Sequence, residues 1–177
     1  MRALILATAL CIPTFVFAAG SEDPTPPKPT QTTTECKSGM VWDEKTKSCV
    51  APQESQLDDD VLYQAAREFA YAGQYDHSQA ALRAMSDQND DRVLTYMGFT
   101  TRKMGDVPAG MAYYNAALQV NPDNILARSY MGQAFVEAGQ LGAAREQLKE
   151  IQARGGRESW SETSLKKAIE TGDGYSY

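Results

Sequence analysis

Histidine is almost absent from this chain, since His77 is the single one among 177 residues. One histidine excludes a metal site built from several histidines and confines histidine-based catalysis to a single position. Adjacent helical residues point in different directions, so Asp76 and Ser78 do not form a catalytic relay with it. We therefore expect no enzyme activity, no catalytic residues, no metal site and no cofactor.

Basic residues are also in the minority, with 17 Lys and Arg against 23 Asp and Glu. The formal net charge is -6 and the sequence pI is about 4.8. Nonspecific nucleic-acid binding needs a basic face that displaces counterions from phosphates, so we expect no nucleic-acid partner. The length and the 42% hydrophobic content suit one folded domain of a soluble protein.

Long apolar runs are confined to the first residues, MRALILATALCIPTFVFAAG. An early Arg2, an apolar run and small residues at the end are the layout of a cleavable secretory signal, which we predict over 1–20. An uncleaved anchor is the alternative, but the run is short for a spanning helix and Pro13 interrupts it. No Asn-x-Ser/Thr glycosylation site is present, which favours a bacterial periplasm. We expect a periplasmic or secreted protein without stable membrane insertion after cleavage.

Cysteine is scarce as well, and one of the three cysteines, Cys11, lies inside the predicted signal. In an oxidising compartment the remaining pair, Cys36 and Cys49, is expected to form a disulfide. Residues 36–50 have two apolar-rich ends around a polar turn, which predicts a small hairpin closed by that disulfide. Residues 21–35 are rich in Pro and Thr and predict a disordered linker.

From Asp58 onward the apolar residues recur at helical spacing and show no strand-type alternation. Met97-Gly98 recurs 34 residues later as Met131-Gly132. Gly105-Asp106-Val107 recurs at the same offset as Gly139-Gln140-Leu141. Two landmarks at one offset predict an array of helical repeats.

This period and these landmarks resemble the tetratricopeptide repeat, a helix-turn-helix unit that stacks into a superhelix. The best copy is 91–124, with further copies at 59–90 and 125–157. The resemblance implies an all-α fold over 58–157, a right-handed superhelix of three repeats. A capping helix at 158–171 and a loose tail at 172–177 follow, and the small disulfide-closed hairpin precedes the repeats.

Small residues in the first helices predict close packing of paired helices. Gly98 and Gly132 should let the partner helix approach, with Tyr114 or Leu148 filling the space between the helices. Ser159 begins a predicted capping box ahead of the last helix.

The resemblance also implies a concave groove, because the first helices of tetratricopeptide repeats line such a surface. By register this surface is basic and aromatic, a composition suited to recognising a protein or peptide partner. We therefore predict an adaptor or scaffold. The family's two-carboxylate clamp for chaperone tails is not matched. The predicted groove residues are Tyr63, Arg67, Tyr71, Arg92, Thr95, Tyr96, Phe99, Arg102, Lys103, Ser129, Tyr130 and Gln133.

Two other functions stay open. Residues 36–50 loosely resemble short cysteine modules ahead of helical repeats in exported bacterial proteins, and an exposed Trp42 there could stack on a cell-wall glycan of the peptidoglycan type. The alternative is that Trp42 covers the disulfide. An enzyme that depends on His77 is the less favoured hypothesis.

Overall fold

The computed structural model describes residues 26–54 and 56–174. The predicted signal and residues 175–177 of the predicted tail lie outside this part of the chain. Its elements are helix α1 (Gln31–Thr34), strands β1 (Val41–Asp43) and β2 (Ser48–Val50), a 3-10 turn (Pro52–Glu54), and helices α2 (Asp59–Tyr71), α3 (Tyr75–Ala84), α4 (Asp91–Lys103), α5 (Val107–Val120), α6 (Ile125–Glu137), α7 (Leu141–Ala153) and α8 (Trp160–Thr171). The predicted all-α fold with a small N-terminal hairpin is confirmed.

The seven long helices form three consecutive pairs and one final helix. Helix α2 packs on α3, α4 on α5 and α6 on α7, while α8 contacts both α6 and α7. The residue before the first helix of each pair caps that helix, because its side chain accepts a hydrogen bond from a backbone N–H of the first turn. These capping residues are Asp58, Asp90 and Asn124. Such caps satisfy amide groups that have no partner inside the helix, so each repeat begins at a residue fixed locally by sequence.

Two glycines allow close helix approach, with one difference from prediction. A Cβ on Gly98 would lie 2.7 Å from ring atoms of Tyr114, so the predicted contact is confirmed. A Cβ on Gly132 would lie 2.6 Å from Leu165 of α8. The sequence did not predict Leu165 at this place. Leu148, which was predicted there, is partly buried against the same apolar cluster.

The N-terminal hairpin docks on the first repeat. Its strands pair antiparallel with Val41 opposite Val50, and the predicted disulfide between Cys36 and Cys49 is present. Val41 is fully buried and packs against Phe69 of α2 and its neighbours. The hairpin thus covers an apolar part of α2 that would otherwise face water.

The end of the predicted linker differs from the expectation of disorder. Gln31–Thr34 is one helical turn, and its preceding residue Thr30 donates from both its backbone N–H and its hydroxyl to the carboxylate of Glu68, at 2.7 Å each. The backbone N–H of Thr33 also donates to Glu68, at 3.2 Å, as does the Thr33 hydroxyl. Linker composition alone did not reveal this order, because the acceptor lies on α2.

No helix in the described residues has the length and apolar character that a membrane crossing requires.

Candidate functional site

The predicted groove residues lie on the first helices, but most are not accessible. Tyr71, Arg92 and Lys103 keep partial exposure. The prediction that the whole set faces a partner is wrong, because the side chains fill the inner face themselves. Buried in the structure are Tyr63, Arg67, Thr95, Tyr96, Phe99, Arg102, Ser129, Tyr130 and Gln133.

A ladder of aromatic rings fills the inner face across the three repeats. Tyr96 packs edge-to-face on Tyr63 at 5.7 Å between ring centroids and on Tyr130 at 6.0 Å. Phe99 lies 4.7 Å from Tyr130. Such ring pairs favour association beyond the area they bury. Burial raises the pKa of Tyr96 to about 12, so its phenol stays neutral at ordinary pH.

Helix α8 closes the third repeat. Ser129 of α6 lies in hydrogen-bond contact with Ser164 of α8, at 3.0 Å between the hydroxyl oxygens. Gln133 is fully buried in the same region. The final helix therefore covers Ser129, one of the predicted groove residues.

Arg92 joins the first two repeats instead of facing a ligand. Its guanidinium lies 4.9 Å above the Tyr63 ring and forms ion pairs with Asp90 at 2.7 Å and Asp60 at 2.9 Å. The hydrogen bond to Asp90, followed by that to Asp60, raises the pKa of Arg92 above its ordinary value against the effect of burial. Arg92 therefore stays charged, and its contacts hold the first two repeats together.

Arg102 and Lys103 share one carboxylate, that of Glu137 at the end of α6. Arg102 is buried, donates to Glu137 through Nη1 and to the Tyr114 hydroxyl through Nε at 3.4 Å. Its Nη2 is buried without a hydrogen-bond partner among the described residues. Lys103 Nζ lies farther from Glu137, at 3.7 Å. Two cations against one carboxylate leave this group with net positive charge.

An open cleft lies between the C-terminal ends of α2 and α4, beside this charge group. It has a volume of about 220 Å³. Lys103 Nζ lies 6.0 Å from the ring centroid of Phe99, and Tyr75 packs edge-to-face on the same ring at 6.2 Å. We call this the aromatic cleft, and its lining residues are Ala70, Tyr71, Ala72, Gly73, Tyr75, Phe99 and Lys103.

The aromatic cleft combines three predicted residues with others that the sequence analysis missed. Ala70, Ala72, Gly73 and Tyr75 were not predicted, because they lie at the end of α2, in the following turn and at the start of α3, outside the groove-facing register. A signal was available in the segment AYAGQY, where small residues alternate with two tyrosines. Small residues leave room for a ligand beside the rings.

The chemistry of the aromatic cleft suits the binding of a ligand. Burial lowers the pKa of Lys103 from its ordinary value, and the positive charge of Arg102 acts in the same direction while Glu137 opposes both. An aromatic or acidic group from a ligand would find ring edges and an ammonium group there. Within the described residues, no group of three or more His, Cys, Asp or Glu could hold a metal ion.

His77 and Trp42 have structural contacts of their own. The His77 ring packs edge-to-face on Phe69 at 5.6 Å, its Nδ1 lies 3.0 Å from Gln74 Oε1, and Gly39 of the hairpin lies against it. The indole N–H of half-buried Trp42 donates to Glu44 at 3.0 Å. The glycan hypothesis for Trp42 stays a prediction.

Three stacked helix pairs with a capped end define a protein of the all-α repeat class. A family model described as Tetratricopeptide repeat matches residues 102–161, which extend from the end of α4 to the start of α8. The match, the period and the helix pairing together support tetratricopeptide repeats over this part of the chain. No curated protein and no solved structure matches the chain. Tetratricopeptide repeats generally mediate protein–protein contacts and are generally not catalytic.

Proposed function

We propose that the protein is a non-catalytic adaptor that binds a protein or peptide partner at the aromatic cleft. One observation carries the proposal: most of the predicted groove residues are buried, whereas an open cleft lies between the ends of α2 and α4, where Lys103 lies over the Phe99 ring. Rigid aromatic side chains with a nearby cation are the usual composition of binding hot spots.

Export to the bacterial periplasm is part of the same proposal. The apolar run at 1–20 supports it, and so does a disulfide, since such bonds persist in oxidising compartments. The partner would then be another exported or envelope protein.

Photo-crosslinking from the aromatic cleft tests the proposal. A benzoylphenylalanine at Tyr75, in protein expressed in its native envelope, should give one dominant adduct. The same group at Gln119, exposed on α5, is the matched control and should not give that adduct. Lys103→Glu should reduce the adduct at position 75 about tenfold, since a reversed charge at a partly buried contact weakens binding strongly.

The helical content of Lys103→Glu, measured by circular dichroism, must equal that of the unaltered chain, so that unfolding does not explain the reduced adduct. An adduct equally strong from positions 75 and 119, or one indifferent to Lys103→Glu, would rule out the aromatic cleft as the binding site.

A further inference from the structure

Helix α5 presents an uncharged surface to solvent. Of its 14 residues only Gly110, Tyr114 and Ala117 are buried, so most of the helix is at least partly accessible. None of these 14 residues is charged, although charged residues make up 23% of the chain. The other long helices of the described chain, α2–α4 and α6–α8, all carry charged side chains. Charge is depleted in the same way at the centres of protein–protein interfaces.

Exposed apolar side chains gather at the same helix. Five large apolar side chains are exposed in the described residues, and three of them belong to α5 or to the turn before it. They are Met104, Val107 and Val120, which are 51%, 41% and 55% exposed. Met111 and Leu118 of α5 are only partly buried. An apolar surface without charge on a folded chain is typical of an interaction site.

The missing charge indicates which partner fits this surface. A partner that is recognised through its charges finds no group on α5 to pair with. A twofold interface needs a patch that complements itself, and apolar and amide groups do this whereas groups of one charge repel each other. Because each copy has a formal net charge of -6, two copies meet at the least electrostatic cost where charge is absent. A second copy of this chain therefore fits α5 best.

The order of side chains along α5 has the symmetry that such an interface requires. When two α5 helices run antiparallel with their midpoints together, position 107 lies opposite 120, 108 opposite 119, and 112 opposite 115. Each exposed residue then lies opposite another exposed residue. Val107 meets Val120 at both ends, and the small Ala112 leaves room for the amide of Asn115 near the middle. The exposed residues of α5 are Val107, Pro108, Ala112, Asn115, Gln119 and Val120.

We propose that two copies of this chain associate through α5 as an antiparallel, twofold dimer. The residues that line the aromatic cleft lie on α2, α3, α4 and the turn after α2, so the dimer interface is separate from the cleft. The dimer therefore carries two aromatic clefts and binds two partner segments. This last consequence rests on the proposed function, whereas the dimer itself is testable without any partner.

Charges placed across the twofold axis test the proposal. Sedimentation velocity of the purified chain at micromolar to millimolar concentrations should show a monomer–dimer equilibrium, because two helices about 21 Å long offer less area than a standard interface. Ala112→Arg and Asn115→Glu should each raise the dissociation constant at least about tenfold, since each places two like charges near the axis. An equimolar mixture of the two variants should dimerise again, because position 112 of one copy faces position 115 of the other.

Thr163→Glu is the matched control, because it adds a charge at an exposed position of α8 and should leave the dimer unchanged. Three outcomes would overturn the proposal. They are a monomer at every concentration, a dimer that Thr163→Glu weakens as much as Asn115→Glu does, and a mixture of the two α5 variants that stays monomeric.

Photo-crosslinking distinguishes a second copy from any other protein on α5. Benzoylphenylalanine at Gln119 should link two copies, and this adduct has twice the mass of the chain and differs from the partner adduct at position 75. An adduct of position 119 with another protein, while the purified chain is monomeric, would contradict the dimer. The adduct at position 75 does not depend on either result, so failure of the dimer and failure of the proposed function are distinguishable.

Discussion

Different elements cover the two ends of the repeat stack, but both ends are held by a buried apolar side chain and a buried carboxylate. At the first end the disulfide-closed hairpin covers α2, and its Val41 is fully buried against Phe69. At the other end α8 covers α6, and its Leu165 is fully buried over Gly132. Each cap therefore inserts one apolar side chain into the repeat that it covers.

Each end also has one buried carboxylate that collects hydrogen bonds across the junction. Glu68 belongs to the stack and accepts from Thr30 and Thr33 of the N-terminal segment. Glu162 belongs to the cap and accepts from Gln152 of α7 at 2.6 Å, and it pairs with Lys166 at 2.8 Å. A buried carboxylate is tolerated only when its lone pairs are satisfied, so each fixes the position of its cap.

The comparison shows what a terminal repeat needs. Repeat units bury their faces on neighbours, and the last face at each end needs a cover. A helix such as α8 forms its own backbone hydrogen bonds, whereas a two-stranded hairpin is too small to be stable alone. At the first end the disulfide supplies stability that the small hairpin lacks by itself.

The largest expected effect tests the apolar insertion at the α8 end. Leu165→Ala removes a fully buried side chain and should lower the free energy of unfolding by about 2–5 kcal/mol, measured by chemical denaturation. Val120→Ala, at a side chain 55% exposed, is the matched control and should change it by less than about 0.5 kcal/mol. Similar losses in both variants would mean that α8 does not close the stack.

The next effect concerns the hairpin end. Cys36→Ser/Cys49→Ser removes a cross-link between residues 13 apart in sequence, which the chain-entropy model values at about 3 kcal/mol. Amides of the hairpin should lose protection from hydrogen exchange while those of α6 and α8 keep it. Lys37→Ala, an exposed change in the same segment, should leave the pattern as it is. Equal loss of protection at α8 would contradict independent closure of the two ends.

The smallest effect is the pH dependence of the α8 end. The hydrogen bond from Lys166, and then those from Glu158 and Gln152, lower the pKa of Glu162 from 4.5 to about 2 in spite of burial. Ionised Glu162 therefore stabilises the fold above about pH 4.5, and this contribution is lost as the pH falls toward 2. Glu162→Gln should be less stable than the unaltered chain at pH 7, and the difference should shrink over that range. A difference in unfolding midpoint that is constant from pH 7 to pH 2 would contradict this assignment.

The fold was predictable because its signals are local and repeated. The spacing of Gly98 and Gly132 predicted the repeat, and Cys36 and Cys49 were the only pair outside the predicted signal. The role of Gly132 was only half predictable, since its contact with Leu165 comes from a helix beyond the repeat.

The candidate site was predictable only in part. Register along α2 and α4 placed Tyr71 and Lys103 on the correct side, and both line the cleft. Register did not reveal that neighbouring rings fill the same face, although tyrosines 34 positions apart at Tyr96 and Tyr130 indicate repeated aromatic packing. Tyr75, at the start of α3, lies outside the first-helix register from which the groove residues were predicted.

The sequence by itself determined the helices, their caps and the disulfide, because each depends on residues close together in the chain or on a pattern that recurs. The tertiary structure decided which side chains of the inner face stay accessible. Burial there depends on side chains that come from separate helices, such as Arg102 and Glu137, which are 35 residues apart. Three-dimensional packing therefore buried most of the predicted groove residues and left the aromatic cleft open.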